Sequence, residues 1–245
     1  MRKALAIVLV FALLMLSACS GLSKTPTKET SNVDQTASRP EATTPTEPTP
    51  EPTPEPEATT PAGGFVTTTP VKLPLKLQTP LAWVYIDPTE DDLDKLVERL
   101  GDAGFAENIL KQAKSGDVVF FYDTANYTDA FKSNMNISRQ EGIGLEQADL
   151  PNVINDIKVS CERDFSKAPF EGFTWLMEPQ GKTLGGNYYV VFVANYTAGL
   201  PITGVMAYTI YNGALYNFTY SVPQEIYGDA IYANFEKVLS SVEFL

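Results

Sequence analysis

The sequence predicts an α+β domain in which an antiparallel sheet is covered by helices on both faces. Three observations carry this expectation. After Phe170 the apolar spacing drops to two, and the run from Tyr188 to Tyr196 is apolar on both alternating sets. Tyr189, Val191 and Val193 fall on one face, and Tyr188, Val190, Phe192 and Ala194 on the other. Asn212-Gly213 separates two further such runs, residues 204–211 and 214–221, and both residues accept the positive φ of a type I′ hairpin turn. Amphipathic helical patterns lie before and after these strands, so each apolar face has a helix available to cover it.

The chain opens with Arg2 and Lys3, an unbroken run of thirteen apolar residues from Ala4 to Leu16, and then Ser17-Ala18-Cys19. A core of that length suits a signal peptide and falls short of the ~20 residues of a spanning helix. Leu16-Ser17-Ala18-Cys19 resembles a bacterial lipobox. The resemblance implies that Leu16, Ser17 and Ala18 are read by the peptidase, that residues 1–18 leave, and that Cys19 carries diacylglycerol and often a third acyl chain. At ~0.8 kcal/mol per buried methylene one chain holds marginally, and two or more hold firmly. The expected location is the extracytoplasmic face of the cell membrane, held through lipid on Cys19.

Residues 19–72 read as a stalk. Thr, Pro, Glu and Ser dominate, large apolar side chains are scarce, and such a composition builds no core. From Thr44 to Pro61 proline alternates with Thr or Glu, which favours polyproline II and a reach of about 55 Å at ~3.1 Å per residue. A plain spacer is the simplest reading; a PxxP ligand and an O-glycosylated stalk are the sharper alternatives. Residues 73–245 remain as one globular domain, long enough to bury about 70% of its unfolded surface.

Within the domain, Thr89 is placed as an N-cap, Glu90, Asp91 and Asp92 fill a first turn, and Leu93, Leu96, Val97 and Leu100 recur at helical spacing until Gly101. A second short helix over residues 106–114 uses Ile109, Leu110 and Ala113. Residues 117–123 read as a buried strand and residues 135–138 as another. Leu150 to Phe165 sets Val153, Ile154, Ile157, Cys161 and Phe165 on one helical face, with Pro151 in the first turn. A strand from Gly172 to Leu184 turns at Gly185-Gly186-Asn187. Pairing across Asn212-Gly213 sets Tyr211 opposite Ala214 and Ala207 opposite Phe218. A last helix over residues 223–240 uses Ile226, Ala230, Ile231, Phe235, Val238 and Leu239.

The C-terminal order is helix, strand, Gly-Gly-Asn-Tyr turn, strand, loop, the hairpin "YNGALYNFTYS", helix and "SVEF". This order resembles the Mog1/PsbP-like superfamily. The resemblance implies an α/β/α sandwich of a kind found in many bacterial lipoproteins, and a binding or assembly role rather than catalysis; it supplies no site. The helices of residues 89–114 depart from the superfamily's usual opening strands.

Composition removes whole function classes. With no histidine in 245 residues there is no Ser-His-Asp triad, no Cys-His dyad and no histidine zinc site. A net charge of −12 argues against nucleic acid, whose phosphates call for clustered Lys and Arg. Gly181-Lys182-Thr183 ends like a phosphate loop, but the earlier glycine is replaced by Leu176 and no helix follows. Asp87, Glu90, Asp91, Asp92 and Asp94 form the densest acid cluster. Their spacing is not that of a calcium loop, and a helix N-terminus accounts for them. Cys161, alone once Cys19 is lipidated, falls on an apolar stripe and reads as a core residue. Asn126, Asn136, Asn195 and Asn217 each open an Asn-x-Ser/Thr triplet, which carries glycan meaning only in a eukaryotic secreted protein. The tyrosines Tyr188, Tyr196, Tyr208, Tyr211, Tyr216 and Tyr220 could present a platform for glycan or peptide, although sheet packing explains most of them.

No catalytic residue, metal ligand or cofactor is expected. The expected function is a membrane-anchored extracytoplasmic lipoprotein displaying a non-catalytic binding or assembly domain, its partner an envelope protein or glycan. The alternative is a histidine-free hydrolase of wall or extracellular glycan, working through paired carboxylates.

Overall fold

Apolar alternation begins well before the first expected helix. The computed structural model describes residues 64–245 apart from 88, 102, 116, 117, 129 and 130, so Leu16, Ser17, Ala18 and Cys19 lie outside the described residues. In it, β1 (Phe65–Thr68) pairs antiparallel with β2 (Leu75–Pro80), and β3 (Trp83–Tyr85) follows. Leu73, Leu75 and Leu77 are buried, while Gln78 is exposed. Strand β1 therefore falls inside the stretch read as stalk, and among the described residues three strands precede the first helix.

Helix α1 (Leu93–Leu100) starts at an N-cap that differs from the expected one. Asp92, not Thr89, caps it, its carboxylate accepting from the Lys95 amide at 2.9 Å. Thr89 instead donates from its own amide and hydroxyl to Asp87. A carboxylate at the N-cap also gains from the helix dipole, which the hydroxyl does not. Helix α2 (Ala103–Ser115) leads to β4 (Val118–Tyr127) and β5 (Lys132–Gln140), both longer than their apolar cores foretell. Helix α3 (Leu150–Phe165) matches its expected bounds, with Pro151 in the first turn.

Four strands then run as a meander: β6 (Glu171–Leu184), β7 (Asn187–Thr197), β8 (Pro201–Tyr211) and β9 (Ala214–Pro223). The β8–β9 register is the expected one, Tyr211 opposite Ala214 and Ala207 opposite Phe218, with Asn212 at φ 48° and Gly213 at φ 70°. Helix α4 (Asp229–Ser240) begins six residues later than its pattern suggests, because Pro223 still pairs with Ile202 in the sheet and a 3-10 turn (Gln224–Ile226) intervenes. Strand β10 (Glu243–Phe244) returns to pair with β2.

The main sheet has the order β3-β4-β5-β9-β8-β7-β6, antiparallel throughout, and a small sheet has the order β1-β2-β10. The chain leaves β5, crosses through α3 to the far edge at β6, and winds back until β9 closes against β5. One face of the main sheet is covered by α4 and the leucines of β2, which share a continuous core with Met135, Ile137, Val205, Phe218 and Tyr220. The other face is covered in two separate pieces. Helix α3 packs with Phe192, Met206 and Tyr208, and helices α1 and α2 pack with Phe120 and Tyr122. Gly185 lies so close to the Ser240 carbonyl that any Cβ would collide with it, which is why the β6–β7 turn can seat against the end of α4.

Candidate binding site

Between the two apolar pieces the second face turns polar. Directly opposed residues in an antiparallel sheet share a face, so the register lays out its rows. Tyr122, Asn134, Ser221 and Gly204 oppose one another across β4, β5, β9 and β8; then come Phe120, Asn136, Thr219 and Met206; then Val118, Ser138, Asn217 and Tyr208. The two central columns are entirely amide and hydroxyl, and Gln140 extends the β5 column. Asn134, Asn136, Ser138, Asn217, Thr219 and Ser221 are all buried. No charged side chain occupies any of these positions.

The strip satisfies only part of its own hydrogen-bonding capacity. The Asn134 amide donates to the Lys132 carbonyl at 3.0 Å, and the Thr219 hydroxyl donates to Asn217 Oδ1 at 3.1 Å. Asn136 Oδ1 and Gln140 Oε1 are buried with no hydrogen-bond partner. Asn136 is 5% exposed, which leaves its carbonyl little access to bulk water. A buried acceptor without a donor costs about 1–3 kcal/mol, and two of them lie on one strand, in one strip. A third such oxygen, Thr79 Oγ1, stands apart in β2.

The opposite face holds a polar intrusion of a different kind. Asp123 is buried there, and its carboxylate accepts from the Tyr220 hydroxyl, from the Asn126 side-chain amide at 2.6 Å and from the Ala125 backbone amide at 3.0 Å. Burial and the neighbouring Asp123 charge push the Tyr220 hydroxyl well above its ordinary pKa, so it stays a donor. This network ties the irregular end of β4 to β9, and its partners are all internal.

The tyrosines do not form one surface; as sheet packing suggests, most of them are core residues. Tyr196 and Tyr208 are buried on the α3 side with Tyr188 half-buried beside them; Tyr216 and Tyr220 are buried on the α4 side. Tyr211 stacks on Phe244 with ring centroids 4.5 Å apart. Because both faces of the sheet are covered, alternation drives these rings into two cores. Cys161 sits in the α3 core, where burial pushes its thiol up to about 12 and leaves it protonated at neutral pH. Gly181, Lys182 and Thr183 lie within β6, with Lys182 bonded to Glu236.

The acidic cluster is spent on the start of α1. Burial raises the Asp87 carboxyl, but hydrogen bonds from Thr89 and Glu90 outweigh it and hold its pKa below the usual carboxylate value. Asp91 pairs with Arg99 at 2.7 Å, and Asp92 caps the helix. Among the described residues no three His, Cys, Asp or Glu side chains are grouped so as to hold a metal ion. Surface clefts among the described residues include the following two. One, of about 540 Å³, has Glu107 as its single carboxylate, beside Lys111 and Lys114; the other, of about 610 Å³, has Glu243, beside Lys237. Neither brings together the carboxylate pair that glycoside hydrolysis uses. No helix among the described residues is long and apolar enough to cross a membrane.

The polar strip was announced by a signal of another meaning. Asn136-Ile137-Ser138 and Asn217-Phe218-Thr219 satisfy the glycosylation triplet because a polar residue at every second position of a strand produces it. Extending each by two residues, Asn134 before and Ser221 after, gives the two columns.

The architecture defines an α+β domain, an antiparallel sheet with helices on both faces, as expected from the sequence. No protein-family model matches the chain, and no curated protein sequence does. Solved structures similar to it include the PsbP protein of the cyanobacterium Synechocystis sp. PCC 6803 (CyanoP), at 15% identity over 75% of this chain and 94% of that one, with a TM-score of 0.47. LpqN of Mycobacterium tuberculosis, described as involved in cell envelope biogenesis, is similar at 10% identity over 74% of this chain and 84% of that one, TM-score 0.44. PA94 of Pseudomonas aeruginosa, a protein of unknown function, is similar at 12% identity over 73% and 95%, TM-score 0.41. The functional reading rests on this chain's own residues.

Proposed function

We propose that the protein is a lipid-anchored extracytoplasmic lipoprotein whose domain binds, without transforming, a component of the cell envelope, and that the polar strip of β5 and β9 is the binding site. The observation that carries the site is the buried, unpartnered carbonyl of Asn136 in the middle of a charge-free strip of amides and hydroxyls. Such groups bind and orient a ligand, and none of them is a strong acid, base or nucleophile near neutral pH. The anchor is supported by the register of Arg2 and Lys3, the apolar run, Leu16-Ser17-Ala18 and Cys19.

Each half of the reading has its own experiment. Cys19→Ala is expected to abolish incorporation of labelled palmitate and to move the protein out of the membrane fraction; unchanged labelling would overturn the anchor. The full chain is expected to co-sediment with isolated envelope material, and Asn136→Leu to lose that co-sedimentation while keeping the melting temperature; Thr219→Val, which also deprives Asn217 Oδ1 of its donor, is expected to lose it with a lowered melting temperature. Undiminished co-sedimentation of both variants would remove the strip from the reading.

A further inference from the structure

We infer that the cleft beside α1 and α2 docks the domain on the anionic lipid surface to which the chain is anchored, an inference that rests on the anchor proposed above and not on the strip. The cleft, of about 540 Å³, is lined by Leu93, Glu107, Leu110, Lys111 and Lys114. Leu93 opens α1 and is 38% exposed, and Leu110 is half-buried on α2. Glu107, Leu110, Lys111 and Lys114 recur at helical spacing, so they share one outward face of α2. Leucines beside ammonium groups are the pattern of a surface that meets lipid, the leucines entering among acyl chains and the lysines reaching headgroups.

The first reason is that these lysines are uncommitted. Lys76, Lys95, Arg99, Arg139, Lys158 and Lys182 each pair with a carboxylate. Lys237 lies over the Phe65 ring. Lys111 and Lys114 have no carboxylate partner among the described residues, although Glu107 stands one turn before Lys111. A lysine in the last turn of a helix serves the helix dipole, but here Lys72 brings a cation to that end, its ammonium donating to the Lys114 carbonyl at 3.2 Å. A chain of net charge −12 thus gathers three lysines at the end of one helix. Asp92 and Asp94 flank Leu93, and Asp92 is spent on the α1 cap, so Glu107 is the opposing charge within the lining.

The apolar lining is the second reason. A bare anion needs no leucine, and a peptide recognised through its main chain needs donors and acceptors. Apart from Glu107, the polar side chains lining this cleft are ammonium groups alone. Hydrocarbon asks for nothing more. Net negative charge repels an anionic surface, and attraction between exposed charges is screened beyond ~10 Å. The anchor offsets both by holding the domain within reach, and the cleft then selects the face that meets the lipid.

The test is acetylation of the full chain on vesicles of phosphatidylcholine, and of phosphatidylcholine mixed with phosphatidylglycerol, read by mass spectrometry at each lysine. On the anionic vesicles Lys111 and Lys114 are expected to react about fivefold more slowly, while the exposed Lys167, at the end of α3, keeps its rate. Leu93→Asn, with an unchanged melting temperature, is expected to reduce that protection, and Glu107→Gln to increase it. Equal rates on the two kinds of vesicle overturn the inference, as does equal protection of Lys167 or protection that Leu93→Asn leaves whole. Inorganic phosphate or a short oligoglutamate that protects both lysines on phosphatidylcholine as well as phosphatidylglycerol does would make this a general anion site, which also overturns it. A chain that fails to float with phosphatidylcholine vesicles overturns the anchor and the inference together; one that floats with both lysines unprotected overturns the inference alone.

Discussion

Strands β5 and β9 present two different surfaces from one backbone. Toward α4 they show Met135, Ile137, Phe218 and Tyr220; toward α1, α2 and α3 they show Asn134, Asn136, Asn217 and Thr219. Both sets are buried, both sit mid-sheet, and they share the same hydrogen-bond ladder, so strand geometry cannot account for the difference. The two buried polar centres differ as well. Asp123, on the apolar face, has three internal donors, whereas Asn136 Oδ1, on the other face, has none. A polar group kept for the fold is saturated by the fold; one kept for a ligand is left with capacity to spare.

The apolar face should be the costlier to damage. Phe218, fully buried with Tyr189 across from it at 6.0 Å between ring centroids, has no solvent route to fill the space it would leave. Phe218→Ala is expected to cost about 3–5 kcal/mol, measured as the change in unfolding free energy from chemical denaturation. A loss below about 1 kcal/mol would mean that the α4 face is not the one that holds the domain together.

The Asp123 network comes next in size. Tyr220→Phe removes one donor from a buried carboxylate and leaves the ring packing against Trp83, at 4.8 Å between ring centroids, in place. The expected cost is about 1–3 kcal/mol, again from denaturation. No measurable change would blur the contrast with Asn136, because both centres would then tolerate an unsatisfied acceptor.

These two faces were unequally legible in the sequence. The apolar face announces itself through period-two aromatics and branched residues, and Asn212-Gly213 fixes its register, so the β6 to β9 meander and the α3 bounds follow from pattern alone. Strands β1 to β3 were harder, because Leu73, Leu75 and Leu77 alternate among prolines and threonines that resemble the stalk before them. The tyrosines left two readings open because a tyrosine on a strand has the same pattern whether its face is covered or bare, and coverage is decided by helices distant in sequence. The polar strip was visible only as glycosylation triplets. A single strand with Asn at alternate positions reads as solvent-facing; that it is buried depends on β5 lying beside β9, a pairing between segments some eighty residues apart.

Surface charge on the helical layer should matter less than either centre. Asp164, near the end of α3, receives bonds from Arg163 at 2.9 Å and from Lys167 at 3.0 Å, and these hold its pKa below the usual carboxylate value. With the native pKa depressed, the unfolded chain takes up the proton first. The contribution is therefore complete above the ordinary carboxylate range and fades as pH falls through the native value. Asp164→Asn is expected to cost about 0.5 kcal/mol at pH 7 and less at pH 2, measured as paired denaturation curves. A cost that is the same at both pH values would assign Asp164 a role other than charge.

The smallest expected change in stability is the one that separates the two faces most sharply. Asn136→Leu puts an apolar side chain of similar volume beside Phe120 and Thr219. It removes a carbonyl that has no donor in the folded chain, so the folded state loses no hydrogen bond from that atom. The expected change is within about 0.5 kcal/mol of zero, or stabilising by up to about 1 kcal/mol, the direction seen when a polar group retained for function is replaced by one that suits the core. The same chemistry in reverse one residue later, Ile137→Asn, places an amide in the continuous apolar core and should be destabilising by several-fold more than Asn136→Leu is in either direction. If Asn136→Leu instead costs more than about 2 kcal/mol, the amide is structural, and the strip is a core feature rather than a site. If it costs nothing and binding is lost, stability and binding have been separated on alternate residues of one strand.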